Sequence, residues 1–363
     1  MITSKIIAKG ILRALATLVL IAVGLYFLFQ IQSIIIYLVV ALVLTLLGNP
    51  IQKFLKKRLK FNNILSTIVT LLLFILIIVG FIMLFVPLIL TQGQSLSLLN
   101  ITEIQKNINQ LIAQLTVYLE HYNIDADGLL KQFNVTSKIS FDFIPVFLNS
   151  IISTVSSLGI GLASVLFITF FFLKDKIKFV DAIKLILPDQ HEEKILNSLD
   201  KINNLLTRYF VGILIQLSIV FILYLIVLLI FGIDNPIVIA FICAVLNIVP
   251  YVGPLIASLL AAILTMISNL GHDFQTETIP LTIYVLIGFW IVQIIDNNLC
   301  QPYIFSNSVK CHPLEIFLVI LIVGFLFGVI GMIIAVPVYT MLKVIGKEFL
   351  PENKIIQLLT KNI

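Results

Sequence analysis

Long unbroken apolar runs alternate along the chain with short polar joints. Residues 11–29 and 31–48 form two runs, with the polar turn Gln30–Ser33 at their junction. Residues 64–90, 146–173, 206–231, 237–267, 280–299 and 314–342 form six more. A membrane-crossing helix needs about 20 apolar residues, so the pattern predicts eight membrane-embedded helical segments. Two polar stretches carry a different rhythm. Ile101, Ile104, Ile108, Leu111, Leu115, Tyr118 and Tyr122 step by threes and fours, a heptad seam that ends before the turn signal Asp127-Gly128. Ile195, Leu199, Ile202, Leu206 and Tyr209 repeat the same rhythm. Each seam packs either on its own membrane domain or on a second copy of the chain.

Composition agrees. Of 363 residues, 60% are hydrophobic and 11% charged, against about 25% charged in a soluble domain. Too few charges are present to cover a globule in water, which excludes a cytosolic enzyme, a secreted disulfide scaffold and a disordered chain. The net charge of +5 describes membrane topology and gives no reason to expect a nucleic-acid partner. Cys243, Cys300 and Cys311 form no CxxC pair, and His121, His191, His272 and His312 are scattered. Neither a metal site nor any cofactor is expected, and with no nucleotide-binding or hydrolase motif the chain does not read as an enzyme.

The basic residues set the orientation. With both termini in the cytoplasm, all of the 23 basic residues except Lys106, Lys131 and Lys138 fall on the cytoplasmic side. This holds only if 237–267 and 314–342 each leave the membrane on the side they entered. The first contains Asn247-Ile-Val-Pro250-Tyr-Val-Gly253-Pro254, and the second Gly324, Gly328, Gly331 and Pro337. Proline removes a backbone donor and crowds the preceding turn, so these residues suit hairpin tips; kinked full spans are the other reading. The expected fold is an all-α polytopic membrane protein with six full spans and two re-entrant hairpins. Its second half would be a span-plus-hairpin unit repeated in inverted topology, a pattern found in secondary transporters.

The expected organisation has six parts. Residues 1–90 are a three-span membrane scaffold, 91–145 an external helical segment and 146–173 a fourth span. Residues 174–205 are a cytoplasmic amphipathic segment, 206–345 a transport unit and 346–363 a cytoplasmic tail. The basic cluster Lys53–Lys60 orients the chain and meets anionic membrane lipids.

Polar groups inside the bilayer are costly and point to function. The densest group is Gln293, Asp296, Asn297 and Asn298; Gln293 and Asn297 are four apart and share a helix face. Asp296 either binds an ion or solute or caps a helix end. Asn247 either lines the path beside freed carbonyls or satisfies the broken backbone itself. Gln216 is a third path candidate or a partner for a neighbouring helix. Glu315 follows His312-Pro313, where a helix macrodipole favours a carboxylate.

The string Asn247–Pro254, then Asp296-Asn297 with Pro302, His312-Pro313, and Leu326–Pro337 before Lys343 resembles the AI-2E (autoinducer-2 exporter) family of bacterial inner-membrane proteins. Residues 303–313 are most similar to its permease (PerM-type) branch, although many members carry glycine near Ser306. The resemblance implies a multi-pass exporter or secondary transporter of a small solute or ion. It also implies a mobile hairpin unit, possible coupling to H⁺ or Na⁺, and a homo-oligomer, a pentamer. A passive channel or an envelope scaffold is the alternative.

Overall fold

The structure, a computed structural model, describes residues 4–95, 101–121, 161–188, 191–269, 272–301 and 312–361. All elements among them are helical. They are α1 (Ser4–Gln30), α2 (Gln32–Arg58), α3 (Asn63–Ser95), α4 (Ile101–His121), α5 (Gly161–Lys174), α6 (Lys176–Ile186), α7 (Glu192–Ile230), α8 (Pro236–Leu246), α9 (Val252–Ser268), α10 (Ile279–Ile295), α11 (Pro313–Phe349) and α12 (Lys354–Leu359). Two π-helical turns, Phe274–Thr278 and Asp296–Cys300, flank α10. Four helices among the described residues are long and apolar enough to cross a membrane: α2, α3, α7 and the run containing α10. The Asp127-Gly128 turn, Tyr122, Pro302, Ser306 and residues 146–160 of the expected fourth span lie outside the described residues.

The chain forms two compact units. One holds residues up to Leu71 together with Leu158–Phe179; the other holds Leu72–Ser157 and everything from Val180. In the first, the last carbonyls of α5 would be orphaned by the end of the helix. Side chains of α2 and α3 take them up. Gln52 Nε2 donates to Leu173 O at 3.3 Å and to Thr67 Oγ1 at 2.8 Å. Asn63 Nδ2 donates to Lys174 O at 2.7 Å, and Lys56 Nζ to Asn63 Oδ1 at 2.6 Å.

The second unit is built around α7. This helix has 39 residues, roughly 58 Å at 1.5 Å per residue, nearly twice the ~30 Å hydrocarbon core. It fuses the expected cytoplasmic seam and the fifth apolar run, because no proline interrupts it and Glu192 and Glu193 favour its N-terminus. The last part of the seam packs on its own chain, with Leu206 buried and Tyr209 in a core with Ile316 and Ile320, while Leu199 is exposed. Beside it Lys201 pairs with Glu348 and His191 meets Phe349, ring centroids 6.2 Å apart. The α4 seam does the same, with Leu111 in the core formed by α7–α10 and Tyr118 edge-on to Phe274 at 6.1 Å.

The helix breaks expected at 237–267 and 314–342 are real, and at both the chain folds back. Helix α8 begins at Pro236, where the missing N–H is harmless, and ends at Leu246, with Asn247 at its C-cap. Pro250 lies in the turn, Tyr251 takes a left-handed φ of 66°, and α9 then runs back along α8 with Pro254 in its first turn. Ala240, Cys243, Ala244, Ala257 and Ala261 are buried, letting the legs approach closely. Gly253 is required: a Cβ there would lie 2.0 Å from Leu246 O.

The second fold-back is hidden inside α11. Gly328 has φ 65°, ψ −153°, a region essentially closed to side chains. Glu315 and Lys343 would stand about 42 Å apart in a straight helix, yet Glu315 Oε2 accepts from Lys343 Nζ at 3.1 Å. Tyr339 Oη donates to the same oxygen at 3.2 Å. Gly324 faces Met332 and Gly331 faces Val323 O across the tip. The break falls at Gly328, and Pro337 lies inside the second leg. Glu315, expected only as a favourable charge at a helix start, therefore also clamps the hairpin's open end.

Gly253→Ala should lower stability by about 1–3 kcal/mol through backbone overpacking, while Gly24→Ala, with open space around it, should be neutral; detergent-solubilised thermal melts of both check this. Lys343 is buried to 3% side-chain exposure and Glu315 to 28%. Lys343→Met should cost about 2–4 kcal/mol, and adding Glu315→Gln should recover part of the loss. A double-mutant cycle by chemical denaturation reads the coupling; additive losses would show that the pair does not clamp the hairpin.

Candidate functional site

Asp296 opens the π-helical turn after α10 and is 1% exposed. Gln216, on the buried face of α7, points its Nε2 at both carboxylate oxygens, 2.9 Å from each. Gln301 Nε2 donates to Asp296 Oδ2 at 3.1 Å and to Asn297 Oδ1 at 2.9 Å. The π turn makes this possible. In an α-helix residues five apart point about 140° away from each other at 100° per residue. A turn closed i→i+5 stacks them, and Asp296 and Gln301 then share one side. Gln293 Nε2 donates to Asn297 Oδ1 at 2.8 Å, so Gln293, Asn297 and Gln301 form a carboxamide ladder beside the carboxylate.

Among the described residues no basic side chain comes within ion-pair distance of Asp296. Its charge is met by the carboxamide donors and by the Cys300 thiol, with no resident counter-ion among the described residues. Gln293 Oε1 is buried without a partner, a second oxygen available to a ligand. Beside this cluster, Gly212, Ile215, Gln216 and Ile219 of α7 and Ile295, Leu299 and Cys300 line an open, largely apolar groove of about 440 Å³. Among the described residues no group of His, Cys, Asp and Glu could hold a metal ion.

A second polar station lies eight residues further along α7, about 12 Å away. Tyr224 stacks on Phe289 of α10, centroids 4.0 Å apart and planes at 11°. Asn247, at the first hairpin tip, donates from Nδ2 to Tyr224 Oη at 3.3 Å and to Cys243 O at 2.8 Å. Its amide thus covers a carbonyl at the helix break, while its Oδ1 has no partner.

The sequence candidates Asp296, Asn297, Gln293 and Gln216 meet in one cluster. Asn247 stands apart from them, and Asn298 is exposed and bonds only to Ile294 O. Gln301, Tyr224 and Lys343 were not singled out. Gln301 lies at the wrong spacing for an α-helix, and Tyr224 and Lys343 acquire partners only through the fold.

Four apolar helices long enough to cross a membrane among the described residues, with many large apolar side chains exposed, define a multi-pass membrane protein. The chain belongs to the AI-2E family of transporters, whose model matches residues 15–350. It is 29% identical over 210 residues, 58% of this chain, to YueF of Bacillus subtilis (strain 168), named as a candidate transport protein. It is 33% identical over 121 residues, 33% of this chain, to YrrI of the same organism. It is 38% identical over 69 residues, 19% of each chain, to PerM of Escherichia coli (strain K12), named as a candidate permease. The matched part spans 52% of YueF and 32% of YrrI.

Gln216→Leu should destabilise the fold by about 2 kcal/mol, since a buried carboxylate loses charged hydrogen bonds. Gln216→Leu with Asp296→Leu should return to within about 1 kcal/mol of the parent, because an apolar pair replaces the whole network. Unfolding midpoints of the single and double variants in one detergent decide between these outcomes.

Proposed function

We propose that the chain is a secondary transporter that moves a small polar solute or ion across the bacterial inner membrane by alternating access. The observation that carries this reading is Asp296: a buried carboxylate met by carboxamides and the Cys300 thiol but by no basic side chain among the described residues, on a π turn against α7, in a unit that contains two helical hairpins. A carboxylate in hydrocarbon is costly to keep, and a site without a resident counter-ion suits a charge that comes and goes. Transporters place their sites where helices are broken. The legs of the first hairpin have 11 and 17 residues, about 16 and 25 Å, both short of the ~30 Å core. In this reading both hairpins are re-entrant, α7 and α10 are the paired spans of an inverted repeat, and both termini are cytoplasmic. The groove beside Gln216 is the entry to the site, with H⁺ or Na⁺ as the coupling ion. Family membership supports a transport role.

In proteoliposomes, an imposed H⁺ or Na⁺ gradient should drive concentrative uptake of a solute selected from a panel. Asp296→Asn should reduce that uptake at least tenfold while leaving the solubilised protein monodisperse. Undiminished uptake by Asp296→Asn would remove the site assignment, and rapid downhill flux indifferent to ion gradients would favour the passive channel.

A further inference from the structure

Helix α6 has no buried residue. Phe179, Ile183 and Ile186 are 45%, 37% and 82% exposed, large apolar side chains that the rest of the chain leaves uncovered. At 100° per residue, Phe179, Val180, Ile183 and Ile186 fall on one arc, which Lys176 enters at the first residue of the helix, and Ile177, Lys178, Asp181 and Leu185 fall on the other side. Three lysines (Lys176, Lys178, Lys184) stand against one aspartate within it.

Its position is set by its neighbours. Only Asp175 separates it from the apolar helix α5. At that joint Phe179 packs edge-on against Phe172, centroids 5.4 Å apart at 87°, and Lys178 pairs with Asp175 at 3.1 Å. The same end of α5 is tied to α2 and α3 through Lys56, Asn63 and the Lys174 carbonyl. The exposed cluster Lys53, Lys56, Lys57, Arg58 and Lys60 therefore lies at the membrane level where α6 begins. A short helix with one apolar arc, lysines beside it and a membrane helix leading into it has the features of an interfacial helix. The basic rim around its start gives it complementarity to anionic headgroups.

We propose that α6 lies in the bilayer interface with its Phe179–Ile186 arc among the acyl chains and its lysines on anionic phospholipid headgroups. This surface is separate from the Asp296 site and stands whether or not the chain transports.

The full chain offers a direct test, since Trp290 is its one tryptophan. In a Trp290→Phe background, Ile186→Trp and Leu185→Trp place a reporter on the apolar arc and on its opposite side, both at exposed positions. Nanodiscs of phosphatidylcholine, with and without phosphatidylglycerol, carry chain-brominated lipid, and iodide serves as the aqueous quencher. In phosphatidylglycerol the reporter at 186 should be blue-shifted and quenched by bromine, and the reporter at 185 quenched by iodide. Changing Lys176, Lys178 and Lys184 to Gln should raise the phosphatidylglycerol fraction needed, by roughly five-fold in affinity per lysine. Equal iodide quenching at both positions would overturn the proposal, as would equal bromine quenching in the two lipid compositions. Protection of position 186 from both quenchers would assign the arc to a protein partner instead.

Discussion

Hydrocarbon offers no hydrogen bonds, so every backbone N–H and C=O freed by breaking a helix must be met by the protein itself. Among the described residues two apolar segments break and fold back, and each break is covered in its own way. At the first, Asn247 turns its amide onto Cys243 O, and small residues let the two legs close. At the second, Gly328 reverses the chain with a backbone conformation that needs no side chain. The ends of the two legs are then pulled together by Glu315, Tyr339 and Lys343. The same requirement appears at the end of α5, where Gln52 and Asn63 receive the terminal carbonyls.

The second unit is organised along one face of α7. Leu205, Tyr209, Gln216, Val220, Tyr224 and Leu228 are all buried, and the two polar stations are Gln216 and Tyr224. Each polar side chain on that face is answered by a break elsewhere: Gln216 by the π turn after α10, and Tyr224 by the first hairpin tip. Polar chemistry and irregular backbone therefore sit together. Irregular backbone is tolerated in a membrane only where protein covers it, and the polar groups supply part of the cover.

Much of this was legible beforehand, for physical reasons that can be named. Pro250, Gly253 and Pro254 announce a break because proline lacks a donor and glycine admits close approach, effects that act within a few residues. Asp296, Gln216 and Asn247 stand out because polar residues are rare in apolar runs. Gln301 stayed hidden because a spacing of five belongs to no α-helical face, and only the π turn aligns it with Asp296. Lys343 reads as the first charge of a cytoplasmic tail, whereas the fold buries it against a residue 28 positions earlier. The two seams left open a choice between self-association and internal packing, and the contacts of Leu111, Tyr118 and Tyr209 give intrachain cover to part of each.

The amino-acid sequence by itself determined what depends on local composition: that the chain lives in a membrane, where its helices run, where they break, and which polar residues are too costly to be incidental. The tertiary structure alone decided which of those residues meet. Gln216 and Asp296 are 80 residues apart. Their contact depends on the angle at which α10 returns beside α7 and on one widened helical turn. Those are properties of packed helices, set by the sum of many aliphatic contacts, and no spacing rule along the chain contains them.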